Sequence, residues 1–250
     1  MKIISLNLHC LQEDNLLEKL KRVAAFINAN DIDICLFQEV AQHKDNKIVK
    51  DNIKEGNNCY LLKEMLDYPY EMYFETKKLG FEVYEEGLAI LSKKPLKNKG
   101  FTYITKTTDY NNWLTRIALY GDYEGITFFN IHLGWTLWIE SIEEQIDKIS
   151  EMALNKENQV MILGDFNCCF KSPQYQYFVN KGFFSAVELL NFDIINNPSF
   201  NRDLDNGQKD NRFIDHVLMN KKMDILDFKV LFQDNPVSDH NMIYLEIKNG

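Results

Sequence analysis

Glycine and proline are scarce in this sequence, 11 and 5 of 250 residues. With 17 Phe, 12 Tyr and 3 Trp beside them, that scarcity excludes a collagen-like or intrinsically disordered chain. Arginine is scarcer still. Only Arg22, Arg116, Arg202 and Arg212 occur among 28 basic residues, so planar two-pronged phosphate recognition has four candidates at most. Positive charge is in deficit overall, with 37 acidic side chains and a net charge of −9. That balance opposes non-specific binding to nucleic acid, although a local basic patch stays open to an acidic nuclease. The five cysteines, Cys10, Cys35, Cys59, Cys168 and Cys169, show no C-x-x-C spacing. A disulfide framework and a structural zinc site are therefore disfavoured, and reduced, mostly buried thiols are expected. No stretch approaches eighteen uncharged apolar residues, which removes a membrane-spanning helix. The opening MKIISLNLHC alternates like a strand and has no apolar signal region. A cytoplasmic protein with no membrane partner is expected.

What is present is a series of short β-type runs with a few helices among them. No linker rich in Pro, Gly or Ser and no repeat interrupts the chain, so residues 1–250 read as one domain. Strands are predicted at Lys2–Leu8, Ile32–Val40, Tyr70–Glu75, Glu86–Ser92, Phe101–Thr105, Arg116–Tyr123 and Ile126–Leu133. Others follow at Val160–Gly164, Phe213–Asn220, Asp224–Phe232 and Asn241–Lys248. A helix capped by Asp14 or Asn15 carries Leu16, Leu20, Val23 and Ile27 on one stripe, and a shorter one covers Cys59–Leu66. A third spans about Leu137–Leu154 with Ile139, Ile142, Ile146, Ile149 and Met152 aligned. A fourth begins at Pro173 and ends near Asn180. Strands in this number, with helices inserted rather than alternating, suggest two mixed sheets packed face to face with helices outside. The polar stretches His43–Asn58 and Asn191–Asn211 are predicted loops.

Polar residues repeatedly close these apolar runs: Asn7, Gln38-Glu39, Asn130-Ile-His132, Gly164-Asp-Phe-Asn167, Ile214-Asp-His216 and Ser238-Asp-His240. Any one of them is most simply a turn former. As a set they offer hard oxygen donors and imidazoles at strand ends, where active sites gather. Asp165 and Asn167 share a strand face through their spacing of two, as do Asn130 and His132. Mg²⁺ takes one or two carboxylates together with a substrate phosphate. Glu39, Asp165 and Asp239, with amide oxygens from Asn7 and Asn167, make such a site. His132 and His240 would then face a phosphoryl group. Asp215 is the partner expected to orient His240, and Glu86 the one expected for His132.

These motifs, with Glu86-Gly-Leu-Ala-Ile-Leu-Ser and Ile214-Asp-His-Val217, resemble the motif series of the endonuclease/exonuclease/phosphatase superfamily, in order and from residue 3 to residue 247. The resemblance implies a four-layered α/β sandwich and hydrolysis of phosphoesters with a divalent metal, Mg²⁺ or alternatively Mn²⁺, as one or two ions. It implies Glu39 as principal metal ligand with Asn7 and Asp239 contributing. Asp165 would activate the attacking water, and Asn167 would hold that water or a phosphoryl oxygen. His132 and His240 would bind phosphoryl oxygens, with Glu86 and Asp215 orienting them. Arg116 becomes the phosphate clamp. The segments Tyr84-Glu-Glu-Gly87, Asp109–Arg116 and His132-Leu-Gly-Trp135 further resemble intracellular bacterial proteins that include a maltose 6′-phosphate phosphatase. Trp113, Trp135 and Trp138 could then stack on a sugar, beside Arg116, Asn130 and Tyr84.

The expected activity is a metal-dependent phosphoesterase acting on a small sugar phosphate. A DNase-like nuclease or other phosphodiesterase with the same site is the alternative, and a non-catalytic binding module is disfavoured by the full set of motifs. A covalent mechanism through Cys168 or Cys169 is disfavoured too, since neither sits in a glycine-rich phosphate cradle.

Overall fold

Alternation with a period of two organises most of the chain into strands, and the computed structural model describes residues 1–134, 141–203 and 209–248. The first half runs β1 (Lys2–Asn7), α1 (Leu16–Asn30), β2 (Ile34–His43), β3 (Ile48–Lys50), β4 (Ile53–Lys54), α2 (Asn58–Lys63), β5 (Glu71–Gly80), β6 (Tyr84–Ser92) and β7 (Lys97–Tyr103). The middle continues with β8 (Ile117–Tyr123), β9 (Ile126–His132), α3 (Ile142–Leu154), β10 (Gln159–Asp165), α4 (Pro173–Val179), β11 (Phe184–Ser185) and α5 (Ala186–Leu189). It closes with β12 (Phe200–Asp203), β13 (Lys209–Arg212), β14 (Asp215–Met219), β15 (Ile225–Leu231) and β16 (Met242–Ile247).

Two six-stranded mixed sheets result, ordered β15-β16-β1-β2-β6-β5 and β11-β14-β10-β9-β8-β7. Each has one parallel pair near its centre, β1 with β2 and β10 with β9, flanked by antiparallel strands. Neighbouring residues along a strand serve different layers. Ile3, Ile34, Leu88 and Ile90 meet Leu119, Phe128, Met161 and Val217 between the sheets. Ile4, Cys35, Ala89 and Leu91 face outward to Leu20, Val23 and Ile27 of α1 and Leu62 of α2. On the far side Phe129, Ile131 and Ile162 meet Ile142, Ile146 and Ile149 of α3 and Phe178 of α4. Three apolar layers separate four layers of structure. Both sheets are therefore covered on their outer faces, which is why their central strands read as nearly continuous apolar runs.

Several expectations need correction. The stretches at 43–58 and 191–211 are not plain loops, because each contains a two-stranded hairpin, β3–β4 and β12–β13. Their strands are only two to four residues long, too short to show an alternation. Asn15 stands at the N-cap of α1 but in a left-handed conformation with no side-chain cap bond. β5 runs on to Gly80 through Thr76-Lys-Lys78, which an edge strand tolerates because only one neighbour and one face need apolar cover. The helix expected from Leu137 is described from Ile142, capped by Ser141, whose Oγ accepts from Glu144 N. Ile139, Trp135 and Trp138 lie outside the described residues. Among the described residues no helix is long and apolar enough to cross a membrane. The cysteines are free thiols, with Cys169 exposed and the others buried.

Candidate active site

The C-terminal ends of the two parallel pairs bring the polar motifs together. In the first sheet Asn7 lies opposite Gln38 in register, and in the second Asp165 lies opposite His132. Asp165 is also paired with Asp215 of β14 on its other side. Local backbone features aim these side chains. A register shift between Phe37 and Val40 in the β2–β6 ladder releases Gln38-Glu39 from pairing with β6 while both stay bonded on the β1 side, and Glu39 adopts φ 48° there. A bulge of this kind turns a side chain away from the regular pleat. In the second sheet Gly164 holds φ +140°, and a Cβ at that position would come within 2.0 Å of the Ile131 carbonyl oxygen. Only glycine permits that approach of β10 to β9 immediately before Asp165. Asn167, at φ 49°, turns its N–H back to donate to Asp165 Oδ1 at 2.8 Å.

Asp165 is the hub. Its Oδ2 accepts from Asn7 Nδ2 at 3.2 Å and lies 3.6 Å from both His132 Nε2 and His240 Nε2. Asn7 Nδ2 also donates to Glu39 Oε1 at 3.1 Å, so one amide bridges carboxylates from opposite sheets. The backbone N–H of His9 donates to Asn7 Oδ1 at 2.9 Å, which fixes the amide in this sense. Asn7, expected to offer an oxygen to a cation, thus presents its nitrogen to the two carboxylates. Burial followed by the nearby Glu86 charge raises the Glu39 pKa. Burial pushes Asp165 up to about 7, with His240 opposing and Asp215 adding to the rise.

The two histidines differ in charge. Burial works against a charged His240, but the carboxylates of Asp215 and Asp165 outweigh it and hold its pKa at about 10. Its Nδ1 is 2.9 Å from Asp215 Oδ2, and Asp215 N in turn donates to Ser199 Oγ at 2.9 Å. His132 is driven well below the usual histidine range by burial and by the cations Arg116 and Lys78. Glu86, expected to orient it, stands 4.0 Å from His132 Nδ1, beyond hydrogen-bond reach, and pairs with Lys78 Nζ at 2.7 Å. The site therefore couples one cationic and one neutral imidazole.

Other expected residues have other surroundings. Asn130 is fully buried between the sheets. Its Nδ2 donates to Phe37 O and Ala89 O at 2.8 and 2.9 Å, and its Oδ1 accepts from Gln38 Nε2 at 2.7 Å. With its amide engaged on both ends it ties the sheets together rather than facing a substrate. Asp239, expected beside Glu39, stands with His9 and Glu13: His9 Nδ1 is 2.6 Å from Glu13 Oε1 and 3.8 Å from Asp239 Oδ1. Arg116, one residue before β8, is buried, and its Nη1 donates to Trp113 O and Thr115 O. Trp113 is 47% exposed. Tyr84 opens β6 opposite His43, ring against ring edge at 6.3 Å. Asn167 Nδ2 donates to Leu133 O at 2.9 Å.

Sequence reasoning passed over His9, Cys10 and Lys78. His9 follows Asn7 at a spacing of two, a signal that was available. Cys10 donates to Glu39 Oε2 at 3.4 Å and Lys78 comes from an edge strand, and neither stood next to a recognisable motif.

A divalent cation fits these residues. Donor atoms of Glu39, His132 and Asp165 all lie within 4.8 Å of one another. Glu39 meets only Asn7, Cys10 and, at 3.9 Å, a neutral His132, so among the described residues no lysine or arginine pairs with its carboxylate. A desolvated carboxylate left this way favours a bound cation.

The sequence pattern of the Endonuclease/Exonuclease/phosphatase family matches residues 4–240, and the chain belongs to that family. Its members are hydrolases of phosphoester bonds, generally dependent on a divalent metal. Among solved structures, a family protein from Leptotrichia buccalis superimposes with a TM-score of 0.89 at 26% identity, with 99% of each chain covered. A mannosyl-6-phosphatase from Bacteroides thetaiotaomicron gives 0.74 at 19% identity, again covering 99% of each chain. TDP2 from Caenorhabditis elegans gives 0.67 at 19% identity over 99% of this chain and 74% of that one. The last two are similar in fold alone. No curated protein matches the chain.

Proposed function

We propose that this phosphoesterase hydrolyses a phosphomonoester of a small molecule, a sugar phosphate resembling maltose 6′-phosphate, by in-line attack of water. The observation that carries the reading is the placement of Asp165 Oδ2 between two imidazoles, 3.6 Å from each. With a pKa of about 7, Asp165 takes a proton from the attacking water near neutrality, where a general base works best. His240, cationic and held by Asp215, turns Nε2 toward the same space and donates to a phosphoryl or leaving-group oxygen. Neutral His132 donates one N–H there. Asn167 holds the water or a phosphoryl oxygen on the Asp165 side. Glu39 would hold the divalent ion, with Asp239 as a further donor, which leaves Asp165 and His132 to the water and the phosphoryl group. When bound, that ion, Mg²⁺ or alternatively Mn²⁺, supplies Lewis-acid neutralisation of charge on the phosphoryl group.

Three observations favour a small substrate over nucleic acid. The net charge of −9 repels a polyanion. Trp113 is half-exposed, and its backbone carbonyl accepts from Arg116 Nη1, a placement suited to stacking on a sugar. A structural neighbour covering this chain end to end is a mannosyl-6-phosphatase. The test is a panel of sugar phosphates, plasmid DNA and abasic DNA assayed with Mg²⁺. Turnover confined to sugar phosphates is expected; preferential cleavage of DNA, with salt-sensitive binding, would replace this reading by the nuclease one.

A further inference from the structure

Beside His132 lies a cavity of about 20 Å³, whose lining includes Lys78, Glu86, Gly87 and Arg116. It is the size of one water molecule or one phosphoryl oxygen, and too small for an ester arm. Arg116 is 6% exposed, and its Nε is buried with no hydrogen-bond partner. A buried guanidinium N–H left unmatched is costly, and a carboxylate nearby would ordinarily capture it in a two-pronged pair. Glu86 is such a carboxylate, on the same cavity wall. Yet its oxygen is held by Lys78 Nζ at 2.7 Å, and among the described residues Arg116 makes no ion pair within 4.0 Å. Lys78 and Glu86 are both nearly buried, with side chains 12% and 8% exposed. Next to Glu86 the backbone of β6 lies close on β5, where a Cβ on Gly87 would lie 1.9 Å from the Glu75 carbonyl oxygen.

We infer that Lys78 is a positioning residue: by occupying Glu86 it keeps the Nε edge of the Arg116 guanidinium, whose Nη1 is held by the Trp113 and Thr115 carbonyls, open to one ionised oxygen of a terminal phosphoryl group in this cavity. The inference rests on the phosphatase reading and sharpens it to a substrate class. Lys78 and Glu86 cancel as a 2.7 Å ion pair, and the Arg116 guanidinium is left as the cavity's unpaired positive charge. A monoester dianion can place a second ionised oxygen there while another faces His240. A diester has one ionised charge to share, and its second ester arm does not fit the space.

The experiment is a double-mutant cycle on the full chain with K78M, K78R, E86Q and K78M/E86Q. Two readouts are used: kcat/KM for a phosphomonoester and for the methyl diester of the same alcohol, and calorimetric Kd for inorganic phosphate. K78M is expected to lower kcat/KM on the monoester and weaken phosphate binding by about tenfold each, a change of about 1.4 kcal/mol. Diester turnover should stay within about twofold, K78R should restore the wild-type values, and in the E86Q background K78M should change either readout by less than about twofold. An equal loss from K78M with Glu86 already neutral overturns the proposal, since Lys78 would then act on substrate or on folding by itself. Equal losses on monoester and diester also overturn it. A wild type that hydrolyses only diesters removes the phosphatase reading instead, and the phosphate-binding cycle then decides the role of Lys78 alone.

Discussion

His240 Nδ1 lies 2.9 Å from Asp215 Oδ2, while Nε2 of the same ring lies 3.6 Å from Asp165 Oδ2. One imidazole is thus suspended between two carboxylates, on the second sheet's β14 and β10, whose residues 215 and 165 are themselves register partners. The arrangement gives opposite tasks to two neighbouring acids. Asp215 is occupied by a hydrogen bond that stabilises the cation, and Asp165 is left desolvated with its pKa raised.

The pH dependence follows from that pair. Asp165 must be deprotonated to act as base, so activity rises through about pH 7. His240 must be protonated to donate, so activity falls through about pH 10. A bell-shaped profile of kcat/KM between these limits is expected. Asp215→Asn removes the first charge that raises His240, and the alkaline limb should move to lower pH. An unmoved limb would assign it to another group.

Asp165→Asn separates catalysis from stability. Turnover should fall by about 10²–10⁴-fold, the usual contribution of a positioned base. Stability should move the other way. Asp165 has a folded-state pKa raised from 3.8 to about 7, so the folded chain binds that proton more tightly than the unfolded one. Its ionisation therefore costs stability progressively from about pH 4 to 7, and the cost persists above that range. The neutral amide should leave Tm at pH 8 unchanged or higher, measured by thermal denaturation.

Asn130→Ala tests whether that residue binds substrate or joins the sheets. Its loss removes the bonds to the Phe37 and Ala89 carbonyls in a dry interface and the shortest bond of Gln38 Nε2, which keeps Ser5 Oγ and Leu36 O, and a penalty of about 1–3 kcal/mol is expected from buried groups left unsatisfied. KM should be unchanged in the folded fraction. A raised KM with normal stability would return Asn130 to the substrate.

Metal dependence is read best through folding. EDTA should abolish hydrolysis. Mg²⁺ at about a hundredfold excess over its Kd should stabilise the chain by about 2.7 kcal/mol through mass action. Glu39→Gln should remove that stabilisation if Glu39 is the ion's principal carboxylate, as proposed. A full Mg²⁺ shift in the variant would move the ion to the His9, Glu13 and Asp239 cluster.

The strand and helix content was legible because burial imposes periodicity: Ile3/Ile4 and Ile34/Cys35 alternate between two apolar layers, and Leu20, Val23 and Ile27 recur at helical spacing. The motifs Asn7, Glu39, His132, Gly164–Asn167 and Ser238–His240 were also legible, since polar residues ending apolar runs stand out in one dimension. The hairpins β3–β4 and β12–β13 were not, because strands of two to four residues are too short to leave a period.

What the sequence alone determined, then, is which residue types end which strands, and through them the family. Which of those residues touch was decided only in three dimensions. Asn7 meets Asp165 across 158 positions of chain because two parallel pairs from separate sheets end at one edge. Glu86 went to Lys78 and not to His132, and Asn130 to the backbone of β2 and β6 and not to a substrate. Side-chain partners depend on distances of a few ångströms between elements far apart in sequence, and local spacing carries no information about such distances.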